Sequence, residues 1–140
     1  GKGLTSACVS FELRFAQIRD LHKPLPTEAV VYGRLPVMIT ENCLLQNTVG
    51  CRCDRANVLV DRTGAAFPIL PAFGHRTELQ NSRPLWLADR PDWRRLGLTY
   101  ARLRFTTESP EECVRVFRAY QTGGAPAGPF TRGLYERGVE

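Results

Sequence analysis

Between Thr5 and Leu35 the chain reads as strand, helix, strand, and that pattern limits how the two strands can pair. Thr5–Ser10 (TSACVS) has the composition of a short buried strand. Ser10 can cap the helix that follows, and Glu12 sits where the helix dipole favours a carboxylate. Phe11, Phe15, Ile18 and Leu21 recur at helical spacing and predict one apolar face. Pro24 and Pro26 stop the helix. Glu28–Leu35 then returns as a strand rich in Val and Tyr. Two strands joined by a helix of crossover length pair in parallel.

The segment that leaves this unit carries the chemistry. The apolar run Ala29–Tyr32 ends in Gly33 and Pro36, and Met38, Glu41, Asn42 and three cysteines, Cys43, Cys51 and Cys53, follow. Thiolates this dense beyond a strand end suit a soft metal or an iron–sulfur cluster. The plain alternative is burial of small side chains. The polar neighbours Asn42, Gln46 and Arg52 fit that poorly. Glu41 and Asn42 share the same turn and are candidate site residues, with turn-forming polarity as the other reading. Cys8 lies inside an apolar strand and Cys113 on a capped helix, so both read as core or helix-face residues. His22, beside Lys23 at a helix end, reads as solvated.

Further along, Val58–Val60 and Ala66–Leu70 flank Asp61-Arg62-Thr63-Gly64, a hairpin signal. Pro84–Ala88 (PLWLA) reads as a strand and Asp89–Leu96 as a short helix ended by Gly97. Tyr100–Thr106 reads as a strand. Ser109-Pro110-Glu111-Glu112 is a capping box that opens a helix, with Val114, Phe117 and Tyr120 as its apolar stripe and Gly123-Gly124 as its end. The order is β-α-β, hairpin, β-α-β-α. It predicts half of a parallel β/α barrel, or a small doubly wound sheet, with a β-hairpin insertion. At 140 residues the chain is too short for a full barrel, which needs about 250. Residues 1–124 would form this partial domain and 125–140 an extended tail leaving it. A half-barrel would leave raw sheet edges and an uncovered apolar face, so self-association is expected.

Composition narrows the setting. No stretch approaches the ~18 consecutive apolar residues of a membrane span, and no signal-peptide pattern is present, which predicts a cytoplasmic chain with no membrane partner. The opening Gly-Lys-Gly, without an initiator Met, reads as a boundary or cleavage scar. Five cysteines, an odd number at uneven spacing, read as thiols or metal ligands rather than a disulfide framework. The net charge is +5, with 17 Arg against 2 Lys. Arginine suits phosphate or RNA, but these are scattered along the whole chain rather than clustered. For hydrolysis, the chain has no HExxH helix, no GxSxG elbow and no recognisable Cys–His pair.

Several motifs, in order, resemble the U32 peptidase family, the collagenase-like proteases. VYGRLPVMITENC looks like the family's strand-end motif, and GCRC followed by LVDRTGAAFPI looks like its cysteine loop and hairpin. ELQNSRPLWLADR resembles the segment leading into the next barrel strand. FTTESPEEC and TRGLYERGVE resemble the last strand–helix unit and the exit from the barrel. The resemblance implies the C-terminal half of a TIM-like β/α barrel. It implies proteolysis of collagen-like or other protein and peptide substrates. Other family members hold a four-cysteine [4Fe–4S] cluster and support hydroxylation of RNA bases or a quinone precursor. Carried over, the ligand set is Cys43, Cys51 and Cys53, for a cluster or for zinc. Some relatives have a cysteine where this chain has Pro36, which cannot ligate. Others have one where this chain has His75, which can replace Cys as a fourth ligand. A third reading is a non-catalytic chain with structural cysteines.

Overall fold

The computed structural model describes residues 3–46, 50 and 56–136. In chain order the strands are β1 (Ala7–Cys8), β2 (Thr27–Gly33), β3 (Pro36–Thr40), β4 (Asn57–Val60), β5 (Ala66–Pro71), β6 (Thr77–Gln80), β7 (Leu85–Trp86) and β8 (Tyr100–Leu103). The helices are α1 (Phe15–Asp20) and α2 (Pro110–Thr122), and short 3-10 turns cover Phe73–His75 and Asp92–Arg95. The chain forms two compact units, one of Gly1–Gly33 with Pro84–Glu140, the other of Arg34–Arg83.

In the first unit, β2 is the buried axis. It pairs in parallel with β1 (Ala7↔Thr27), as a helical crossover requires, and also with β8 (Glu28↔Tyr100). It also pairs antiparallel with β7 (Tyr32↔Trp86). The β2–β8 ladder shifts register between Val30 and Tyr32. That bulge leaves Val31 out of the pairing on that side, and its carbonyl accepts instead from the Tyr120 hydroxyl at 2.5 Å. On the β1 side, Glu28 O takes the Val9 amide at 2.9 Å. The next carbonyl along, Val30 O, accepts from the Tyr135 hydroxyl at 2.5 Å. Two buried tyrosines thus complete a sheet that its short strands leave unfinished. Around Tyr120 lie Tyr32, Trp86 and Trp93, with ring centroids 5.5–6.2 Å away. Residues after 124 return to this core. Thr131 bridges to Leu85, and Tyr135 stacks on Phe15 at 5.0 Å.

The helices differ in detail from the sequence expectation. Ser10 makes a turn, accepting the Glu12 amide at 3.2 Å. Helix α1 starts only at Phe15, where the Gln17 side chain accepts the Arg14 amide at 2.9 Å. Phe11 therefore lies outside it and Leu21 is exposed. β1 is exposed rather than buried. Helix α2 has its capping box, with Ser109 and Glu112 bonded reciprocally, and Gly123 ends it at φ 78°. Its buried face is Val116 and Tyr120, while Val114 and Phe117 point to solvent. Positions 113, 116 and 120 repeat at helical spacing as well as 114 and 117 do, so periodicity alone could not choose between them.

The second unit overturns the barrel. It is a four-stranded antiparallel sheet in the order β3-β6-β5-β4. The predicted hairpin is there, with Val58↔Pro68 and Val60↔Ala66 opposed across the Asp61 turn. Asp61 Oδ1 accepts the Thr63 and Ala65 amides at 2.8 and 3.0 Å. That hairpin is no insertion between parallel β/α units; it is half of a continuous sheet. β3 and β6 pair antiparallel (Thr40↔Thr77), and β5 and β6 likewise (Pro71↔Thr77). The physical reason is connection length. Among the described residues of 34–83 there is no α-helix, only the turn at Phe73–His75. Tight turns such as those joining β4 to β5 and β5 to β6 allow only antiparallel neighbours, whereas parallel ones need a crossover of a dozen or more residues. The chain is therefore not half of a TIM-like β/α barrel. The argument for self-association from the raw edges of a half-barrel loses its premise. Among the described residues no helix is long and apolar enough to cross a membrane.

Candidate functional site

The second unit holds a pocket of about 390 Å³ lined by Glu41, Asn42, Cys43, Gln46, Gly74 and His75. Pairing between β3 and β6 builds it. Thr40 lies opposite Thr77 at the end of the ladder. Glu41, Asn42 and Cys43 follow the last residue of β3, while Gly74 and His75 precede the first of β6. An antiparallel pair brings these two ends to one place.

Cys43 is buried. Its carbonyl accepts the Gln46 amide at 3.2 Å, so the chain turns directly after the thiol. Two threonines fix the segment on either side. The Thr40 hydroxyl donates to Asn42 O at 2.6 Å and lies 2.6 Å from the Thr77 hydroxyl. The Leu44 amide donates to Thr77 Oγ1 at 3.4 Å. On the opposite wall the chain reverses through Gly74 and His75, at φ 73° and 61°. Ala72 N donates to Arg76 O at 2.9 Å to close this turn. Among the described residues His75 is the one non-glycine at positive φ. Its backbone is held in the sparsely populated left-handed region, which His tolerates better than most residues. At the rim, Arg76 pairs with Glu41 at 2.8 Å. Both side chains are exposed, so this contact orients more than it stabilises.

Four of the residues singled out from sequence, Glu41, Asn42, Cys43 and His75, line this one pocket. Cys51 and Cys53 lie outside the described residues. Cys8, read as buried, is exposed, and Cys113 is half-buried on α2. Gly74, Thr40 and Thr77 escaped the sequence reading, and Gln46 figured in it only as a polar neighbour of the cysteines. A Gly-His step between two β-like runs is a turn signal that could have revealed Gly74. The threonine pair needs the β3–β6 register, which no local pattern supplies.

The donors in the pocket suit a soft metal: a thiol and an imidazole are common ligands for zinc and for iron–sulfur clusters. Among the described residues no three His, Cys, Asp or Glu side chains converge as a metal-binding group. A second hollow, of about 320 Å³, lies in the first unit between Asp89, Arg94 and the end of α2 at Gly123. Arg94 is committed there to Tyr120 O at 2.6 Å, and Asp89 to Arg132 through two contacts of 2.6 and 2.8 Å. That hollow offers no reactive group.

No protein-family model, curated protein or solved structure matches the chain.

Proposed function

We propose that this chain belongs to a protein of the U32 peptidase type, acting on protein or peptide substrates, with the Cys43 pocket as its working site. One observation carries the reading. A buried thiol, an imidazole in a constrained backbone and two polar turn residues, 32 residues apart at Cys43 and His75, line one concavity. The motif order that resembles the family supplies the activity. A thiol beside an imidazole can serve as nucleophile and base. The test is cleavage of gelatin and of an unstructured peptide library by the full chain. Cys43→Ser and His75→Gly should both abolish it. Gly is chosen because it accepts φ 61° without strain. Undiminished cleavage by both variants, or no cleavage by the parent chain, defeats the proposal.

The donor chemistry favours a second reading, an iron–sulfur or zinc protein that supports hydroxylation of RNA bases or a quinone precursor. Cys43 and His75 would supply two ligands, and Cys51 and Cys53 the others. A bound cluster or zinc ion would provide redox or Lewis-acid chemistry. The residues themselves would hold it and orient whatever enters the pocket. Metal and labile-sulfide analysis of protein purified without oxygen decides this. Stoichiometric metal that falls sharply in Cys43→Ser supports it, and metal-free parent protein rejects it.

A further inference from the structure

We infer that Thr40 and Thr77 are positioning residues that set the presentation of the Cys43 thiol, an inference that rests on the Cys43 pocket being the working site. The two threonines face each other across the last pair of the β3–β6 ladder. Their hydroxyl oxygens are 2.6 Å apart. The distances allow two arrangements, because either threonine hydroxyl can donate to the other. The Leu44 N–H donates to Thr77 Oγ1 at 3.4 Å. In the first, Thr77 O–H donates to Thr40 Oγ1 at 2.6 Å. Thr40 O–H then donates to Asn42 O at 2.6 Å; in the second, Thr40 O–H donates to Thr77 Oγ1 and Thr77 O–H to Asn42 O at 3.2 Å. In both, the relay starts on the amide after Cys43 and ends on the carbonyl before it. Both peptide groups flanking the thiol are therefore tied to the sheet, while the Cys43 side chain is left to face the pocket.

The placement is costly unless it serves something. Thr77 is 1% exposed, and a hydroxyl buried so deeply must find partners. Valine has the same shape and would fill the same space without the hydroxyl. A strand pair needing only bulk at these positions would not need two hydroxyls opposite each other. The relay also makes Cys43 less free. Cys43 is 4% exposed, so an alkylating reagent reaches its thiol when the 42–44 segment opens, and each hydrogen bond in the relay opposes that opening.

The test uses the full chain under chelator and measures alkylation of each cysteine separately, by isotope-coded iodoacetamide and peptide mass spectrometry. Thr77→Val and Thr40→Val should each raise the Cys43 rate by about tenfold, the order expected for losing a net hydrogen bond from a local opening step. Cys8 and Cys113 should keep their rates. Thr77→Ser, which retains the hydroxyl, should restore a rate near that of the parent. Thr40 is half-exposed, so Thr40→Val keeps the test alive if Thr77→Val fails to fold. An unchanged Cys43 rate in the valine variants overturns the inference. So does an equal rise at Cys113, which would signal general unfolding, or a failure of Thr77→Ser to restore the rate. A parallel titration with cobalt(II), read by thiolate-to-metal absorption, separates this inference from the metal reading. Parent protein that takes no cobalt removes that reading, and the alkylation rates still decide the role of the threonines.

Discussion

Replacing Tyr120 by Phe should be among the most damaging single-atom changes in the first unit. The ring would keep its place against Trp86 and Trp93, so packing is preserved and only the hydroxyl is lost. That hydroxyl accepts the Leu87 amide at 2.8 Å and donates to Val31 O at 2.5 Å. Leu87 and Val31 are each 1% exposed, so water does not readily replace it. A buried group left without its partner costs about 1–3 kcal/mol. With one amide and one carbonyl orphaned, the loss should be about 2–4 kcal/mol. Tyr135→Phe orphans only Val30 O and should cost about half as much. Guanidinium unfolding should show a lower midpoint with an unchanged slope. The pH dependence is a second signature. Burial raises both phenols above their ordinary range. The native state then keeps protons that the unfolded chain releases above pH about 10. The stabilisation is whole below that pH and is lost as pH rises further. Tyr120→Phe should flatten this alkaline decline. A loss under about 0.5 kcal/mol, below the cost of a single orphaned group, or a larger loss in Tyr135→Phe, would refute the account of how β2 is completed.

Gly33→Ala should prevent folding of the first unit or destabilise it by more than about 3 kcal/mol. A Cβ there would sit 2.1 Å from Arg104 O at a backbone φ of +124°, and circular dichroism with thermal melting would show the loss. Ser109→Ala removes the acceptor for the Glu112 amide at 3.3 Å and should cost about 1 kcal/mol in chemical denaturation. Asp89→Asn should cost about 1 kcal/mol near neutral pH, because Arg132 grips both carboxylate oxygens at a partly exposed site. The Arg132 hydrogen bonds hold the Asp89 carboxyl below its usual range. Its contribution is therefore present above pH about 3.9 and fades as pH falls through the lower folded value. Unfolding curves between neutral and acid pH should converge for parent and variant.

Local signals were legible where a single stretch of chain decides the outcome. The Ser109 capping box, the Gly123 helix end and the Asp61 hairpin turn all rest on hydrogen bonds between residues no more than four apart. The parallel pairing of β1 with β2 was legible too, because connection length settles it. The barrel expectation failed at β3 and β6. Pro36–Thr40 begins with a proline, which marks the end of the preceding apolar run, yet Val37 and Ile39 are β-branched and extend into a paired strand. Thr77–Gln80 has one apolar residue, Leu79, and gives almost no period-two pattern. Its strand is dictated by neighbours on both sides, β3 and β5, which is a tertiary effect. Once those two strands exist, hairpin connections replace crossovers and a β/α barrel is no longer available.

The nearness of Cys43 and His75 has a different origin from the one the barrel supplied. In a barrel, residues beyond the C-terminal ends of parallel strands gather at one face. Here Cys43 lies beyond the C-terminal end of β3 and His75 before the N-terminal start of β6, and only antiparallel pairing makes those the same end. The register Thr40↔Thr77 then sets the spacing, with the thiol three residues beyond one member of the pair and the imidazole two before the other. A one-residue slip would turn the alternating side chains of β6 to the other face and take the Thr77 hydroxyl from Thr40. The same pair of residues thus fixes the register and holds the peptide groups around the thiol. That coupling explains why two polar side chains can be afforded at the end of a sheet whose other central contact, Ile69↔Leu79, is apolar.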